Sequence, residues 1–278
     1  MKSIKDLIKE GRLAEARANL VAAVKNHPND TAARTLLFQV LLFLGEWDKA
    51  QRHLELLADF DANMAGAGPL YSNLLKCERE RLEVVSFRAL PSFLPATPTY
   101  FEDYYQACQQ LQSDGDGAGK DRFDAMEMRI PQVAGTINGA AFSGMRNTDD
   151  VLAFALEVFA HDRYLWVPFE AIREIVVTPP QSLLDLLWIP ASITTWGGLS
   201  MNGFLPVLYP ESWKHDNEQV RMGRMTDWSA PCGDCVRGVG QQVFVFGDRD
   251  VAILEWKDIQ FKMTDQEGAQ SAAPGEEG

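Results

Sequence analysis

Gly11-Arg-Leu-Ala-Glu-Ala16 and Gly45-Glu-Trp-Asp-Lys-Ala50 are two copies of one pattern, set 34 residues apart. In each, glycine is followed two positions later by a large apolar residue (Leu13, Trp47), then by alanine (Ala16, Ala50), then by leucine (Leu20, Leu54). Glycine permits the tight reversal between two antiparallel helices, and a small alanine lets their axes approach closely. Ala23 and Pro28 complete the first copy, because a ring without an N–H ends a helix; the second copy has Ala62 in place of that proline. The spacing predicts helices over 3–10, 12–26, 31–44 and 46–60, with a fifth over 67–85 and Asp30 or Thr31 capping the third.

A 34-residue period of helix pairs is that of the tetratricopeptide repeat, an interaction scaffold with no chemistry of its own. The third helix is the informative one. Its run Leu36, Leu37, Phe38, Gln39, Val40, Leu41, Leu42, Phe43 is apolar on nearly every face, so it must be covered on both sides. The repeat register turns Ile8, Gln39, Leu42 and Phe43 toward the concave side. There they form a furrow for an external amphipathic helix, or they are covered by later segments of the same chain.

With 278 residues, 46% apolar and 23% charged, the chain has material for a sizeable core and no composition of global disorder. The net charge of -13 argues against a nucleic-acid partner. It is unevenly spread, because residues 1–90 hold 13 Lys/Arg and 12 Asp/Glu, leaving 13 and 27 for residues 91–278. No secretory signal or membrane span is recognised, so the expected location is the cytoplasm and no membrane contact is expected. Four cysteines (Cys77, Cys108, Cys232, Cys235) are too few for a disulfide framework in a chain of this length and are read as reduced.

Pro91, Pro95 and Pro98 mark a linker region, 91–130. It holds a helix at about Thr99–Gln112 with the aromatic face Tyr100, Phe101, Tyr104, Tyr105, a flexible Asp-Gly turn, and a second helix at about Lys120–Met128. From Pro131 the pattern becomes short strands: Tyr164–Phe169, Glu174–Thr178, Phe204–Tyr209, Gln242–Phe246 and Val251–Trp256, with Asn138-Gly139 as a hairpin turn. Helices are expected at about 149–159 and 181–188. The fold class is therefore α+β: an N-terminal tetratricopeptide-like array (1–90), the helical linker region (91–130), a mostly antiparallel α+β domain (131–262) and a disordered acidic tail (263–278).

Candidate catalytic motifs fail on their spacing. After Asp114, a calcium loop would need a bidentate carboxylate at Ala125, and a phosphate loop would need Ser or Thr at Asp121. Cys232-Gly-Asp-Cys235 is half a zinc site without a second pair. Gly198-Leu-Ser-Met-Asn-Gly203 has one residue too many for a nucleophile elbow, and Gly238-Val-Gly240 lacks the last glycine of a dinucleotide fingerprint. His161-Asp162 is an isolated dipeptide, read as a solvated helix end. No metal or cofactor is implied. The rival reading is a hydrolase-like enzyme in the C-terminal domain with the repeats as its targeting module; a homo-oligomeric dimerisation module is a third.

The order of landmarks resembles one known family. Gly11-Arg-Leu-Ala-Glu-Ala16, Arg34-Thr-Leu-Leu-Phe-Gln39, Gly45-Glu-Trp-Asp-Lys-Ala50, Arg163-Tyr-Leu-Trp-Val-Pro-Phe169, Asp185-Leu-Leu-Trp-Ile-Pro190 and Gly238-Val-Gly-Gln241 together are similar to the ImpE family. Its members are also called SciE-type virulence proteins or TagJ accessory proteins of the bacterial type VI secretion system. The resemblance runs from about residue 4 to residue 262. It implies a non-enzymatic cytoplasmic accessory factor that contacts the contractile sheath through the amino-terminal helical segment of the small sheath subunit, and so bears on sheath assembly or its presentation to the recycling ATPase. One departure is Ala62-Asn63, where the family has proline. The resemblance brings no catalytic residues.

Overall fold

The computed structural model describes residues 3–60, 62–113, 118–230 and 235–263. The tail from Thr264, most of the Asp-Gly turn and Cys232 lie outside the described residues.

The array is α1 (Ile4–Lys9), α2 (Leu13–Asn26), α3 (Thr31–Phe43), α4 (Trp47–Phe60) and α5 (Ala62–Val85). Both turn glycines hold the left-handed conformation the period implies, Gly11 at φ +76° and Gly45 at φ +67°. Asp30 is the cap of α3, its side chain accepting from the Ala33 N–H at 2.9 Å. Ala16, Leu20, Ala50 and Leu54 are buried, so the repeated positions build the helix-to-helix seams. The fifth helix begins five residues earlier than expected and carries Pro69 inside it.

A nine-stranded sheet follows. Its strands are β1 (Ser92–Phe93), β2 (Ala134–Ile137), β3 (Ala140–Ser143), β5 (Ala155–Ala160), β6 (Arg163–Pro168), β7 (Ile172–Val177), β8 (Trp188–Thr195), β9 (Ser200–Pro206) and β14 (Asp258–Phe261). They lie in the order β1-β6-β5-β9-β8-β7-β14-β2-β3, antiparallel except where β1 joins β6. A three-stranded sheet orders β13 (Arg249–Ala252), β12 (Val243–Phe246) and β4 (Met145–Asn147), and β10 (Thr226–Ser229) pairs with β11 (Arg237–Gly240). Asn138 (φ +52°) and Gly139 (φ +80°) form the expected turn between β2 and β3.

The linker region forms α6 (Phe101–Ser113) and α7 (Ala118–Glu127). The predicted aromatic face closes over the sheet: Phe101 and Tyr104 meet Phe154 at centroid distances of 6.4 and 5.0 Å, and Phe154 meets Trp166 at 5.7 Å.

Two expected helices are corrected. Residues 149–159 form a single 3-10 turn at Asp150–Leu152 and then β5. All six residues of β5 are buried, and a strand buried on both faces shows no alternation to distinguish it from a buried helix. Around 181–188 there is only the 3-10 turn Leu184–Leu186, and Trp188 already opens β8. Asp185 accepts from the N–H groups of Gln181 and Ser182 at 2.7 and 2.9 Å, a local turn that competes with helix. His161 (φ +56°) sits in the hairpin between β5 and β6 rather than at a helix end, and Asp162 pairs with Lys76 at 2.7 Å.

Candidate functional site

The furrow predicted on the concave side of the array is closed by the protein's own C-terminal domain. Leu42 and Phe43 are 3% and 1% exposed and Ile8 7%; only Gln39 of the four expected contact residues is half-buried. Leu187, Trp188, Leu208, Tyr209 and Trp213 face Leu42 and Phe43 across a residual cavity of about 30 Å3, room for one water and no ligand. The all-round apolar character of α3 is therefore satisfied within the chain. Leu42 and Phe43 are core residues, not open anchors.

Two contacts hold the closure. The first is buried. Arg81 of α5 reaches across to Glu157 of β5 with a two-pronged ion pair, Nε and Nη2 donating at 2.7 and 2.6 Å. Glu157 also accepts from Tyr164 Oη at 2.5 Å and Gln242 Nε2 at 2.9 Å, while Glu78 accepts from the Trp188 indole at 2.9 Å. Burial opposes the charge on Arg81, but the carboxylates of Glu157 and Glu78 more than reverse it and raise its pKa. Burial likewise pushes Glu78 up, against the pull of Arg81. A buried carboxylate with this many donors satisfies its lone pairs, as a charge out of water must.

The second contact is peripheral, and sequence reasoning missed it. Between β9 and β10 the chain makes an excursion holding a 3-10 turn (Ser212–Lys214) and α8 (Glu218–Arg221). Its side chains seat on both turn glycines of the repeat. The Trp213 ring lies over Gly45, 4.6 Å from the Trp47 ring centroid, and Gln219 lies over Gly11, so a methyl group at either glycine would overlap them. The Glu218 carboxylate accepts from the Ala14 N–H at 2.7 Å and so caps α2, whose own N-cap residue, Arg12, supplies no side-chain cap. Gln219 and Arg224 donate to the carbonyls of Glu10 and Ile8, at 2.8 and 3.1 Å, at the end of α1. Residues 200 positions away thus complete the first helical turn. No local pattern signals a cap supplied from that far along the chain.

The titratable groups of a neighbouring cleft are engaged with nearby carboxylates. A cleft of about 480 Å3 beside α8 contains Lys214, His215 and Arg237. Lys214 pairs with Glu211, His215 lies 3.4 Å from Asp227, and Arg237 donates to Asp149 at 2.9 Å. Ser200 lies on β9, where its hydroxyl accepts from Thr194 at 3.3 Å. Among the described residues, no three His, Cys, Asp or Glu side chains are grouped to hold a metal ion, and no helix is long and apolar enough to cross a membrane.

Residues 139–260 match the ImpE protein family, and residues 7–75 match the tetratricopeptide repeat. The type VI secretion system accessory component TagJ of Pseudomonas aeruginosa PAO1 is 32% identical over 267 residues, spanning 94% of this chain and 91% of that protein. The chain belongs to the ImpE/TagJ family. The similarity to this ImpE/TagJ relative spans both the array and the sheet rather than the repeats alone. The crystal structure of protein VPA1032 from Vibrio parahaemolyticus has the same fold, with a TM-score of 0.83, 20% identity, and coverage of 95% of this chain and 99% of that one.

Proposed function

We propose that this ImpE/TagJ protein is a non-enzymatic, cytoplasmic binding component of the type VI machine, and that its helical array takes the amino-terminal helix of the small sheath subunit. The observation that carries this reading is the pairing of a tetratricopeptide array with 32% identity to an accessory component over nearly the whole chain. Repeat arrays of this kind bind other proteins through helix faces. The charges of the cleft at Lys214, His215 and Arg237 are engaged with neighbouring carboxylates, which supports a binding role over a catalytic one there. Of the expected contact residues, Gln39 is half-buried, whereas Ile8, Leu42 and Phe43 are buried in the core.

The test is a titration with the small sheath subunit and with a form lacking its amino-terminal helix. Binding that vanishes with the helix is expected. Equal binding by both forms rejects helix capture.

A further inference from the structure

The helical array already holds an occupant. Trp213 and Gln219, six residues apart on one excursion, lie on Gly45 and Gly11, the two equivalent turns of the repeat, and Arg224 closes over the main chain at Ile8. We propose that Glu218, Gln219 and Arg224 form a self-inhibitory clamp: they hold down the α1–α2 turn, and a partner helix gains the array's concave rim only when that turn lifts away. This rests on the helix-capture reading above and adds its regulation.

Three observations support the clamp. Its bonds end on main-chain atoms of the turn (the Ala14 N–H and the Glu10 and Ile8 carbonyls), generic groups that water or an incoming polar side chain satisfies equally well. The anchoring of the array is separate, because Arg81–Glu157 and Glu78–Trp188 join α5 to the sheet without involving the excursion. The moving part is also identifiable. Val220 and Met222 are buried on the sheet side of the excursion, and Val220 packs over Gly240, so α8 stays with its own domain. By contrast α1 is six residues long, too short to persist without support, and its departure uncovers the apolar side chains Leu7 and Ile8.

When a binding-competent state is a minor one, the apparent affinity falls by its population, so weakening the clamp strengthens binding. The experiment uses the full chain as wild type, as E218A/R224A and as Q219A, with E218Q/R224Q as a milder form should either fail to fold. Amide hydrogen exchange over residues 4–14 and titration with the small sheath subunit are the readouts. Faster exchange in α1 and the start of α2, with binding tightened on the order of tenfold, is expected. Unchanged or weaker binding by folded variants overturns the clamp while leaving helix capture standing. Equal binding of the sheath subunit with and without its amino-terminal helix defeats helix capture itself, and the clamp's inhibitory role falls with it.

Discussion

Gly45 has a left-handed backbone at φ +67° and the indole of Trp213 over its α-carbon, so an added methyl meets two penalties. Gly198 shares the backbone problem at φ +82° but opens to empty space. Gly198→Ala should therefore cost only the backbone share, about 1–2 kcal/mol, and Gly45→Ala measurably more, as read by urea unfolding. Removing a buried charge is more severe. Arg81→Ala leaves the Glu157 carboxyl 3% exposed and short of its partner, and a loss of about 3–5 kcal/mol is expected. His53 gives a pH-dependent counterpart. Burial, then the nearby Arg34 and Arg52 cations, hold its pKa below 6.5. Neutral His53 is thus favoured in the folded state, and the stability this provides is complete above pH 6.5 and is lost as pH falls through the depressed value. His53→Gln should flatten the decline in melting temperature on acidification from neutrality; a decline as steep as in the wild type would refute the assignment.

The helices of the array were legible because their signal is local and repeated. Gly11, Ala16, Gly45 and Ala50 fix the turns and seams within a few residues of where they act. Leu42 and Phe43 were legible as apolar but not as covered, since what covers them is Leu187, Trp188 and Trp213, more than 140 positions downstream. The β5 strand failed for a related physical reason: a central strand buried on both faces carries no alternation, and Val151 to Phe159 has the composition of a buried helix. The His53, Arg81 and Glu157 partners are likewise set by tertiary approach. Because Phe43 is packed in the core, Phe43→Ala should lower stability by about 3–5 kcal/mol rather than act first on partner binding. A stable, folded F43A protein that has lost only its partner would return Phe43 to the binding face.

At the scale of the molecule, the array and the sheet share one boundary, sealed by the buried Arg81 cluster and by the polar excursion at α8. The 1–90 segment ends just beyond the helix that carries Arg81, so on its own it exposes that guanidinium and the apolar face of α3 and loses the caps of α1 and α2. Fragment 1–90 should show no cooperative melting transition, whereas the full chain should unfold with the array and sheet together. Two separated transitions in the full chain would contradict a shared boundary.

The caps on the first helical turn also set a schedule. Glu218, Gln219 and Arg224 leave the ribosome more than 200 residues after Gly11, which at 5–20 residues per second is a wait of about 10–40 s. Throughout that interval the newborn amino terminus is unfinished, with Ile8 and the oily side of α3 open to chaperones and to neighbouring nascent chains. Translation order therefore keeps the α1–α2 turn from its final form until residues 218–224 have been made.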